Sequence, residues 1–498
     1  MKSITELQYD DLCKVCDSIL KSGSNSFERN ANSFLNVVRE HPIFLNIYKP
    51  VFFKSSLKFY IFLLASLFKT ITIGVLKFLE AIYRVYFLGD ILKKDQKKYK
   101  IIFITHFLNE KFINHKDDFY FYELPNKFNL NQQSSLNLYI NFTHISSRSL
   151  VNKWSNKVCS KLLPKYLPII LELKIRTKLI LEAINILRFR SKNTFEKRIK
   201  LYASLSSLFS GTFNNYRLAI LVKEIVKNNR VENIFTTYEG HPWERLIFGF
   251  ARRINPKILC VGYQHAIVFR KQHSIRRKLN NSFEPDYILC SGEHSFKQFQ
   301  KINYLPDERL ILFGSCRGEN KLIKRLAVDS KKRNTFLLLP EGDLVECIPL
   351  VEFAISIAIR FKHLKFIIRF HPVTSTKKVF KQCPKLAQIS NVEISKISLE
   401  DDFKRAQFAI YRGSTTIIKA VLNGLVPIYF SKSDEISIDP LFEFENKRFN
   451  FSKPDDVKKI EKTSHTELIN NQKKLIQHVK QFFSPINYEK VLNLKKIK

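Results

Sequence analysis

The residues of this sequence that could do chemistry are polar residues that directly follow short apolar runs. Three such segments lie in its second half: Pro340-Glu341-Gly342-Asp343, His371-Pro372-Val373-Thr374 and Arg412-Gly413-Ser414-Thr415-Thr416. In parallel α/β sheets, ligands bind where strands end and helices begin. If the strands before these segments are neighbours, all three segments converge on one crevice.

The segment that begins at Arg412 has the composition of a phosphate site. Gly413 permits a tight turn, and the hydroxyl residues Ser414, Thr415 and Thr416 open a predicted helix at 415–423. Free N–H groups and the helix dipole favour an anion at such a position. Because Ser and Thr open many helices that bind nothing, an ordinary N-cap is the alternative.

His371 ends the strand predicted at 366–370, and Pro372 keeps the backbone before it extended. An imidazole at that edge can donate to a phosphate oxygen or protonate a leaving group. A strand-capping histidine without a ligand is the alternative interpretation.

In the first half, the strand predicted at 231–237 runs into Tyr238-Glu239-Gly240-His241-Pro242-Trp243-Glu244. Gly240 and Pro242 force a turn, so Glu239 should lie at a carboxyl edge and could act as a general base. We expect His241 to lie near Glu239 and to face the same cleft between the two halves of the chain. Trp243 could stack on a sugar or anchor its helix, whereas Glu244 suits a helix N-terminus and a structural role.

A second polar pair of the first half, Gln264-His265, follows the strand predicted at 258–261. We expect both side chains in the same layer as Glu239, where they could orient an acceptor or a donor phosphate. A hydrogen-bonded turn is the alternative.

The elements that must position these residues alternate between short apolar strands and helices. Strands are predicted at 101–105, 231–237, 258–261, 286–290, 310–313, 336–339, 366–370, 392–394, 408–411 and 427–430. Residues 145–230 are predicted to be mostly helical, and two further helices near 454–464 and 466–483 end the chain. Alternation of this kind predicts an α/β fold with parallel sheets and right-handed crossovers.

The length of 498 residues favours two domains with attachments. We expect a helical N-terminal region at 1–95, a Rossmann-like domain at 96–280 with a helical insertion, a second one at 285–440, and C-terminal helices at 441–498. The boundary is expected near 275–290, and the basic, polar segment 271–278, which contains no apolar run, suits a linker. The tail helices are expected to cross back over the first domain.

The composition is strongly basic: 83 Lys and Arg against 45 Asp and Glu give a formal net charge of +38. Such a charge indicates an anionic partner, or the amino-acid bias of an AT-rich genome. The sequence has no aromatic RNA platform and no basic recognition helix, which argues against nucleic acid. Eight cysteines and no signal-peptide core fit a cytoplasmic protein, and Cys13 and Cys16 lack the second pair that a zinc site needs.

Residues 51–92 are the most apolar region, but the longest uncharged stretch, Phe59 to Phe68, falls short of the roughly 20 residues that span a bilayer. On a helix, its charged residues fall within one arc of roughly 140°. The pattern predicts a basic amphipathic helix that lies on an anionic membrane surface, or one that packs on the protein with a solvated basic stripe.

Together, the Glu-Gly element at Glu239, the His-Pro element at His371 and the Ser/Thr-rich helix start resemble signatures of bacterial sialyltransferases and of related capsule and lipopolysaccharide Kdo-type transferases. The Gln-His loop resembles one in teichoic-acid and capsule polymerases. The resemblance covers residues 230–430 and implies the GT-B fold, in which two Rossmann-like domains face a cleft. It implies Glu239 as the base and His371, Ser414 and Thr415 as phosphate ligands, with one carboxylate where the sialyltransferase element has two.

The sequence therefore predicts an inverting, metal-independent glycosyltransferase at the inner face of the cytoplasmic membrane. The donor is a nucleotide-sugar, with CMP-sugars among the candidates, and no cofactor is expected. The acceptor is a surface polysaccharide or a lipid-linked glycan. Alternatives are a polyol-phosphate transferase, a nucleotide-sugar epimerase, or a basic membrane- or nucleic-acid-binding protein without catalysis.

Overall fold

The computed structural model describes residues 3–494, except residue 24 and residues 93–97, 111–112, 114–116, 144, 146–158, 304 and 320–333. The predicted fold class is confirmed: two parallel sheets, each with helices, form two Rossmann-like domains.

The sheet of the first domain is parallel throughout and has the strand order β3-β2-β1-β4-β5-β6-β7. Its strands are β1 (Ile101–Phe107), β2 (Ser135–Asn141), β3 (Cys159–Leu162), β4 (Asn233–Thr237), β5 (Leu259–Gln264), β6 (Tyr287–Cys290) and β7 (Leu310–Leu312). The apolar run at the start of β1 is fully buried, as expected for a parallel sheet that is covered on both faces. The strands β2 and β3 were not predicted.

The sheet of the second domain is also parallel, in the order β10-β9-β8-β11-β12-β13. Its strands are β8 (Thr335–Leu339), β9 (Lys365–Ile368), β10 (Val392–Ile394), β11 (Phe408–Tyr411), β12 (Val426–Phe430) and β13 (Phe449–Phe451). All of the strands predicted here are present, and β13 is added at the edge.

The helices before and within the first domain are α1 (Glu6–Lys21), α2 (Phe27–Asn30), α3 (Pro42–Leu45), α4 (Lys49–Phe53), α5 (Ser56–Ile82), α6 (Leu124–Leu130), α7 (Ile169–Leu187), α8 (Thr194–Ser206), α9 (Ser210–Asn228), α10 (Pro242–Ile254), α11 (His273–Arg276) and α12 (Glu293–Ile302). The second domain and the tail contain α13 (Leu344–Arg360), α14 (Thr376–Gln382), α15 (Leu399–Arg405), α16 (Thr416–Leu422), α17 (Lys458–Lys462), α18 (His465–Val479) and α19 (Glu489–Leu492). Hydrophobic clusters lie on both faces of each sheet.

The expected boundary between the domains at 280–285 is wrong. Strand β6 pairs with β5 and β7 pairs with β6, so the first sheet continues to Leu312. The second sheet begins at Thr335. The boundary therefore lies between these two residues, because strand pairing across the sheet, rather than the nearest polar segment, decides which domain a strand joins.

The segment 271–278, which the sequence suggested as the linker, is a part of the first domain. The Lys271 ammonium lies 2.9 Å from Asp10, and His273 lies 3.0 Å from Asp17, both on α1. Arg277 is buried and also faces Asp17, at 3.5 Å. The basic charges are neutralised by acidic residues from the far end of the chain, which a local pattern cannot reveal.

The tail crosses back over the first domain, as predicted. The Ser484 N–H donates to the Ser291 carbonyl at 2.9 Å, and the Asn487 N–H donates to the Phe313 carbonyl at 2.8 Å. Val491 of α19 is buried in a cluster with residues of β1 and β5. The C-terminal segment thus joins the two domains a second time.

Helix α5 continues through a π-helical turn at Tyr83–Phe87, so residues 56–87 form one helix of 32 residues, and its most apolar stretch of 18 residues has a mean hydropathy of 2.0. By length and composition it could cross a membrane, contrary to the expectation from its uncharged run. Only 6% of its most apolar window is buried. The sequence predicted helical structure over this region.

Candidate functional site

The three polar loops of the second domain meet at one edge of its sheet, as the sequence predicted. They follow β8, β9 and β11, and β8 lies between the other two. The Thr374 hydroxyl donates to the Gly342 carbonyl at 3.2 Å, and the Gly413 N–H donates to the Glu341 carboxylate at 3.0 Å. Neighbouring parallel strands bring their carboxyl ends together, which is the physical basis of the site.

Glu341 occupies part of the expected phosphate position. Its carboxylate accepts the Gly413 N–H and lies 2.8 Å from the Nε2 atom of His41. Burial raises the pKa of Glu341, but its contacts with His41, Arg39 and Gly413 outweigh burial and lower it. The Gly413 N–H is therefore not free to bind a phosphate, as the sequence had suggested, because it already donates to the Glu341 carboxylate.

Gly413 is small for a reason other than the predicted tight turn. A Cβ atom there would lie 2.3 Å from the Glu341 Oε1 atom, and the φ angle is not in the positive range. The close approach of Glu341 therefore requires glycine at this position.

Arg412 does not belong to the donor site, so its assignment there is wrong. The residue is 2% exposed. Its guanidinium pairs with the carboxylates of Glu346 and Glu435. The pair with Glu346 holds the end of β11 against α13, and the pair with Glu435 ties it to the segment after β12, so Arg412 has a structural role.

The hydroxyls of Ser414, Thr415 and Thr416 lie at the surface before and in the first turn of α16. None of them has a hydrogen-bond partner within the described part of the chain. They are thus open to a ligand, on a helix of seven residues.

His371 is exposed beside these loops, and its Nδ1 atom lies 3.4 Å from the Val373 N–H, which it accepts. Desolvation lowers the pKa of His371, although the charge of Glu341 opposes the shift. The ring is therefore neutral at physiological pH, and with Nδ1 as acceptor it carries its proton on Nε2. That N–H can donate to a ligand in the crevice.

On the first domain, Glu239 and His241 form a pair at the carboxyl end of β4, with 3.4 Å between the Glu239 Oε2 and His241 Nε2 atoms. About a third of the Glu239 side chain is exposed. Burial raises the pKa of Glu239, but the hydrogen bond to His241 and the charges of His265, His241 and Arg39 lower it well below its ordinary value. Burial lowers the pKa of His241, but Glu239 and Glu244 outweigh burial and raise it.

Glu244 has the structural role that its position in the first helical turn predicted. It is buried, and its carboxyl accepts the backbone N–H groups of Glu239, at 3.0 Å, and His241, at 2.8 Å. Burial raises its pKa to about 8, and the charge of Glu239 adds to this shift. Glu244 therefore fixes the loop that carries the Glu239–His241 pair.

Gln264 and His265 lie in the same layer, at the end of β5. The Gln264 amide nitrogen donates to the Ala266 carbonyl at 3.3 Å, whereas its Oε1 atom and the Nδ1 atom of His265 are buried without a hydrogen-bond partner in the described residues. The His265 ring packs edge-on against Tyr120 at 4.8 Å. Buried polar atoms of this kind need a partner, which a ligand would supply.

Trp243 is 9% exposed and is packed in the core of the first domain, as the anchoring alternative predicted. Its ring lies 5.5 Å from that of His106, edge to face. His106, near the end of β1, was missed by the sequence analysis, although the rule that selected the other loops applies to it. Burial and the neighbouring charges of His265 and His241 lower the pKa of His106 to about 4.

Arg39 is a second candidate site residue that the sequence analysis missed. Its charge lowers the pKa of both Glu239 and Glu341, one from each domain. The guanidinium lies over the Phe269 ring at 4.4 Å and has no hydrogen bond or ion pair to a described residue. No sequence pattern marks it, because it comes from an irregular segment near the N-terminus.

The carboxyl edges of the two sheets approach each other at the junction of the domains, which we call the cleft. Ile267 and Phe269, from the loop after β5, pack in one cluster with Leu337 and Leu339 of β8. His41, beside Arg39, contacts Glu341 across the same junction. The cleft thus has the Glu239–His241 pair on one side and His371 with the 414–416 hydroxyls on the other.

One group among the described residues has the spacing of metal ligands, and it lies outside the cleft. Donor atoms of His294, Glu443 and His478 lie within 4.8 Å of one another. Glu443 also accepts from Gln298 and lies 3.4 Å from the Lys301 ammonium. The Glu443 carboxylate therefore already has hydrogen-bond and ion-pair partners within the protein.

No protein-family model and no curated protein matches this chain. Similar solved structures include a glycosyltransferase from Rickettsia africae (13% identity, 80% of this chain, 96% of that chain, TM-score 0.42) and MurG from Acinetobacter baumannii (10%, 80%, 99%, 0.44). A UDP-GlcNAc 2-epimerase from Neisseria meningitidis bound to UDP-GlcNAc is similar at 11% identity, over 79% of this chain and 96% of that chain, with a TM-score of 0.40. These similarities are distant, and the fold class rests on the two sheets described above.

Proposed function

We propose that this chain is a glycosyltransferase that moves a sugar from a nucleotide-sugar to an acceptor hydroxyl. The observation that carries the proposal is the arrangement of the cleft. A carboxylate–imidazole pair lies at the carboxyl edge of the first domain, and neutral hydrogen-bond donors lie at the facing edge of the second. Arg39 adds a cation between them.

In this mechanism, the acceptor hydroxyl gives its proton to the Glu239–His241 pair, and the acceptor oxygen attacks the anomeric carbon of the donor. The bond from that carbon to the phosphate oxygen breaks, and its electron pair stays on the phosphate. His371, Ser414 and Thr415 donate hydrogen bonds to the departing phosphate, where negative charge develops. A single displacement inverts the anomeric configuration and uses no metal.

The charges and hydrogen-bonding groups on the two sides of the cleft indicate where the donor and the acceptor bind. The nucleotide phosphates belong beside His371 and Arg39, because both supply N–H donors. The acceptor belongs beside Glu239, His241, Gln264 and His265, which include hydrogen-bond acceptors for its hydroxyls. The proposed acceptor is a surface polysaccharide or a lipid-linked glycan at the cytoplasmic face of the membrane, with CMP-sugars among the donors to test.

A thermal-shift panel of CMP, CDP, UDP, GDP and their sugars tests the donor. A ligand at 100 times its dissociation constant stabilises a protein by about 2.7 kcal/mol. His371→Ala and Ser414→Ala/Thr415→Ala should each weaken binding of the active nucleotide, since a hydrogen bond to a charged group contributes about 1.5–3 kcal/mol.

The matched control is Thr463→Ala/Ser464→Ala, which removes the same groups at the start of α18 in the same half of the chain. It should leave nucleotide affinity unchanged. The proposal fails if no nucleotide or nucleotide-sugar shifts the melting temperature, or if both site variants bind as the wild type does.

A further inference from the structure

A cavity of about 820 Å³ lies between α5 and the body of the first domain. Its walls are one face of α5, the end of β2, the segment before α7, and α7 and α9. At one end it reaches Trp243 and His106. Because His106 acts electrostatically on the same histidines that surround Glu239, this end of the cavity adjoins the proposed acceptor side of the cleft.

The wall of the cavity carries an excess of positive charge. Its cations are Lys69, Lys77, Lys165, Arg176 and Arg217. The buried Glu172 neutralises Arg217, and Glu80 pairs with both Lys77 and Lys165. Two carboxylates therefore face five cations, and the excess suits an anionic group.

Two of these cations still have hydrogen-bonding capacity. Lys69 makes no hydrogen bond or ion pair to a described residue. Arg176 donates to the Gly74 carbonyl at 3.1 Å, but its Nε atom is buried without a partner in the described chain. A buried, unsatisfied guanidinium N–H is costly unless a ligand accepts from it.

The remaining wall is apolar, with aromatic and aliphatic side chains from α5 and β2 and from the segments before α7 and α9. They include Phe62, Ile73, Ile140, Phe142 and Leu163. A free sugar phosphate would leave this surface uncovered, whereas a ligand with both an anionic head and a hydrocarbon chain would use the whole cavity.

The face of α5 that points away from the cavity is apolar and could contact the membrane that supplies such a ligand. Its outward side chains are large and apolar, among them Leu64 at 58% and Phe68 at 71% exposure. Helix α7, which contacts α5 through Arg176, presents further exposed apolar residues at Ile170, Leu173, Ile180, Leu181 and Ile184. An exposed apolar surface of two helices marks a membrane or protein contact, and lysines flanking it favour an anionic membrane.

Contacts with one domain at both ends show how α5 lies relative to that membrane. Near its start, Arg198 donates to the Lys54 carbonyl at 2.9 Å, and near its end Lys165 lies 3.5 Å from Glu80. A helix that crossed a bilayer would place its ends on opposite sides, and one soluble domain could not hold both. The helix therefore lies along the surface, with Lys69 and Lys77 turned toward the cavity and its apolar face outward.

We propose that this cavity binds the phosphate or diphosphate head group of a membrane lipid that carries the acceptor sugar. Lys69, Lys165 and Arg176 hold the phosphate, and the hydrocarbon chain leaves between α5 and α7 into the bilayer. The sugar extends past Trp243 toward Glu239 and His241. The identity of the lipid as the acceptor rests on the proposed transferase function, but the binding site itself does not.

Farnesyl diphosphate is a soluble probe that combines an apolar chain with a diphosphate. Isothermal titration with the full chain should show binding that is at least about tenfold tighter than that of inorganic diphosphate or farnesol, since each lacks one half of the interaction. Lys69→Ala/Arg176→Ala should weaken it at least about tenfold.

Lys58→Ala/Lys174→Ala is the matched control, because it removes two cations from the same two helices outside the cavity, and its affinity should equal that of the wild type. Lys69→Glu serves as a second site variant if the loss of Arg176, which packs on Phe78 and Phe213, unfolds the chain. Equal binding of farnesyl diphosphate and inorganic diphosphate, unchanged binding in the site variants, or competition by free nucleotide would each overturn the site.

Vesicle co-sedimentation tests the membrane face separately. Leu64→Ser/Phe68→Ser should reduce binding to phosphatidylglycerol-containing vesicles and leave farnesyl diphosphate affinity intact, whereas Ile359→Ser, an exposed residue of the second domain, should change neither. Wild-type-like vesicle binding by the double variant would contradict the orientation of α5. None of these measurements needs a nucleotide-sugar, so their outcome is independent of whether the chain transfers sugar.

Discussion

At the scale of single residues, the Glu239–His241 pair decides how a proton could move in the cleft. The hydrogen bond that they share contributes both to the raised pKa of His241 and to the lowered pKa of Glu239, beside the neighbouring charges that act on each. An isolated carboxylate with so low a pKa is a poor base, because it holds a proton weakly. The pair is a better acceptor, since the imidazole can hold the proton while the carboxylate stabilises its charge.

Glu239→Gln should lower turnover by roughly 100- to 10,000-fold while donor affinity and the fold are kept. The amide cannot stabilise a protonated His241, but it keeps the shape of the side chain. Steady-state kinetics with the donor from the thermal-shift panel provides the measurement. Glu232→Gln, at the opposite end of the same strand and exposed, is the control, and a Glu239 variant as active as this control would remove the pair from the mechanism.

Glu244 gives a pH-dependent prediction. Burial raises its pKa to about 8 in the folded chain, above the value of an unfolded glutamate, so the folded state holds this proton more tightly. The contribution of protonated Glu244 to the stability of the folded chain is complete below the unfolded pKa, and it is lost as the pH rises toward 8. Glu244→Gln has no such charge, so the melting temperature of the wild type relative to this variant should fall between pH 5 and pH 9. A difference that stays constant over this range would show that Glu244 does not titrate as described.

At the scale of elements, the C-terminal tail holds the first domain through its backbone. Ser291, directly after β6, and Phe313 and Ser315, directly after β7, exchange backbone hydrogen bonds with Ser484 and Asn487. Gly314 has a φ of +96°, and a Cβ atom there would lie 2.2 Å from the Pro485 carbonyl oxygen. The tail can pass only because this position has no side chain.

Gly314→Ala should release the tail and destabilise the chain by more than the roughly 1 kcal/mol that positive φ alone costs. Urea unfolding measures the stability, and limited proteolysis after residue 480 measures the release. Gly424→Ala, in the second domain with a φ of +84°, carries the same backbone strain without displacing the tail. If both variants lose equal stability and the tail of Gly314→Ala stays protected, the tail does not depend on this contact.

At the scale of the whole molecule, the domains are joined by the loop after β5, by the tail and by a cluster of His294, Glu443 and His478. The hydrogen bond with His294 outweighs burial and lowers the pKa of Glu443 to about 2. Burial and the charge of His294 lower the pKa of His478 to about 4. Both shifts make this junction sensitive to acid.

The lowered pKa of His478 determines how the stability of the folded chain should change with pH. The folded state disfavours a proton on His478. The contribution of the neutral ring to stability is therefore complete above the unfolded pKa near 6.5, and it is lost as the pH drops toward 4. Between pH 7 and pH 5 the melting temperature of the wild type should therefore fall by more than that of His478→Gln, by about 1 °C for each kcal/mol involved in a chain of this length. His363→Gln, an exposed histidine of the second domain, should lose as much as the wild type; an equal loss in all three proteins would exclude His478 as the cause.

The sequence alone determined the alternation of strands and helices, the α/β class and the positions of the polar loops at strand ends. These features are local: an apolar run of a few residues followed by glycine, proline or hydroxyl residues specifies them whatever the rest of the chain does. For that reason His371, Glu239 and the 414–416 hydroxyls could be selected as candidates, and the loops of the second domain were expected to converge.

Only the tertiary structure decided which charges are free and which are neutralised. Arg412 looked like a ligand but is paired with Glu346 and Glu435, and the basic segment 271–278 looked like a linker but is neutralised by α1. Conversely, Arg39 has no local signal and lies between the two domains. Coulomb interactions and hydrogen bonds act between groups that are close in space, and here the partners are separated by tens to hundreds of residues, so no window of sequence contains both members of the pair.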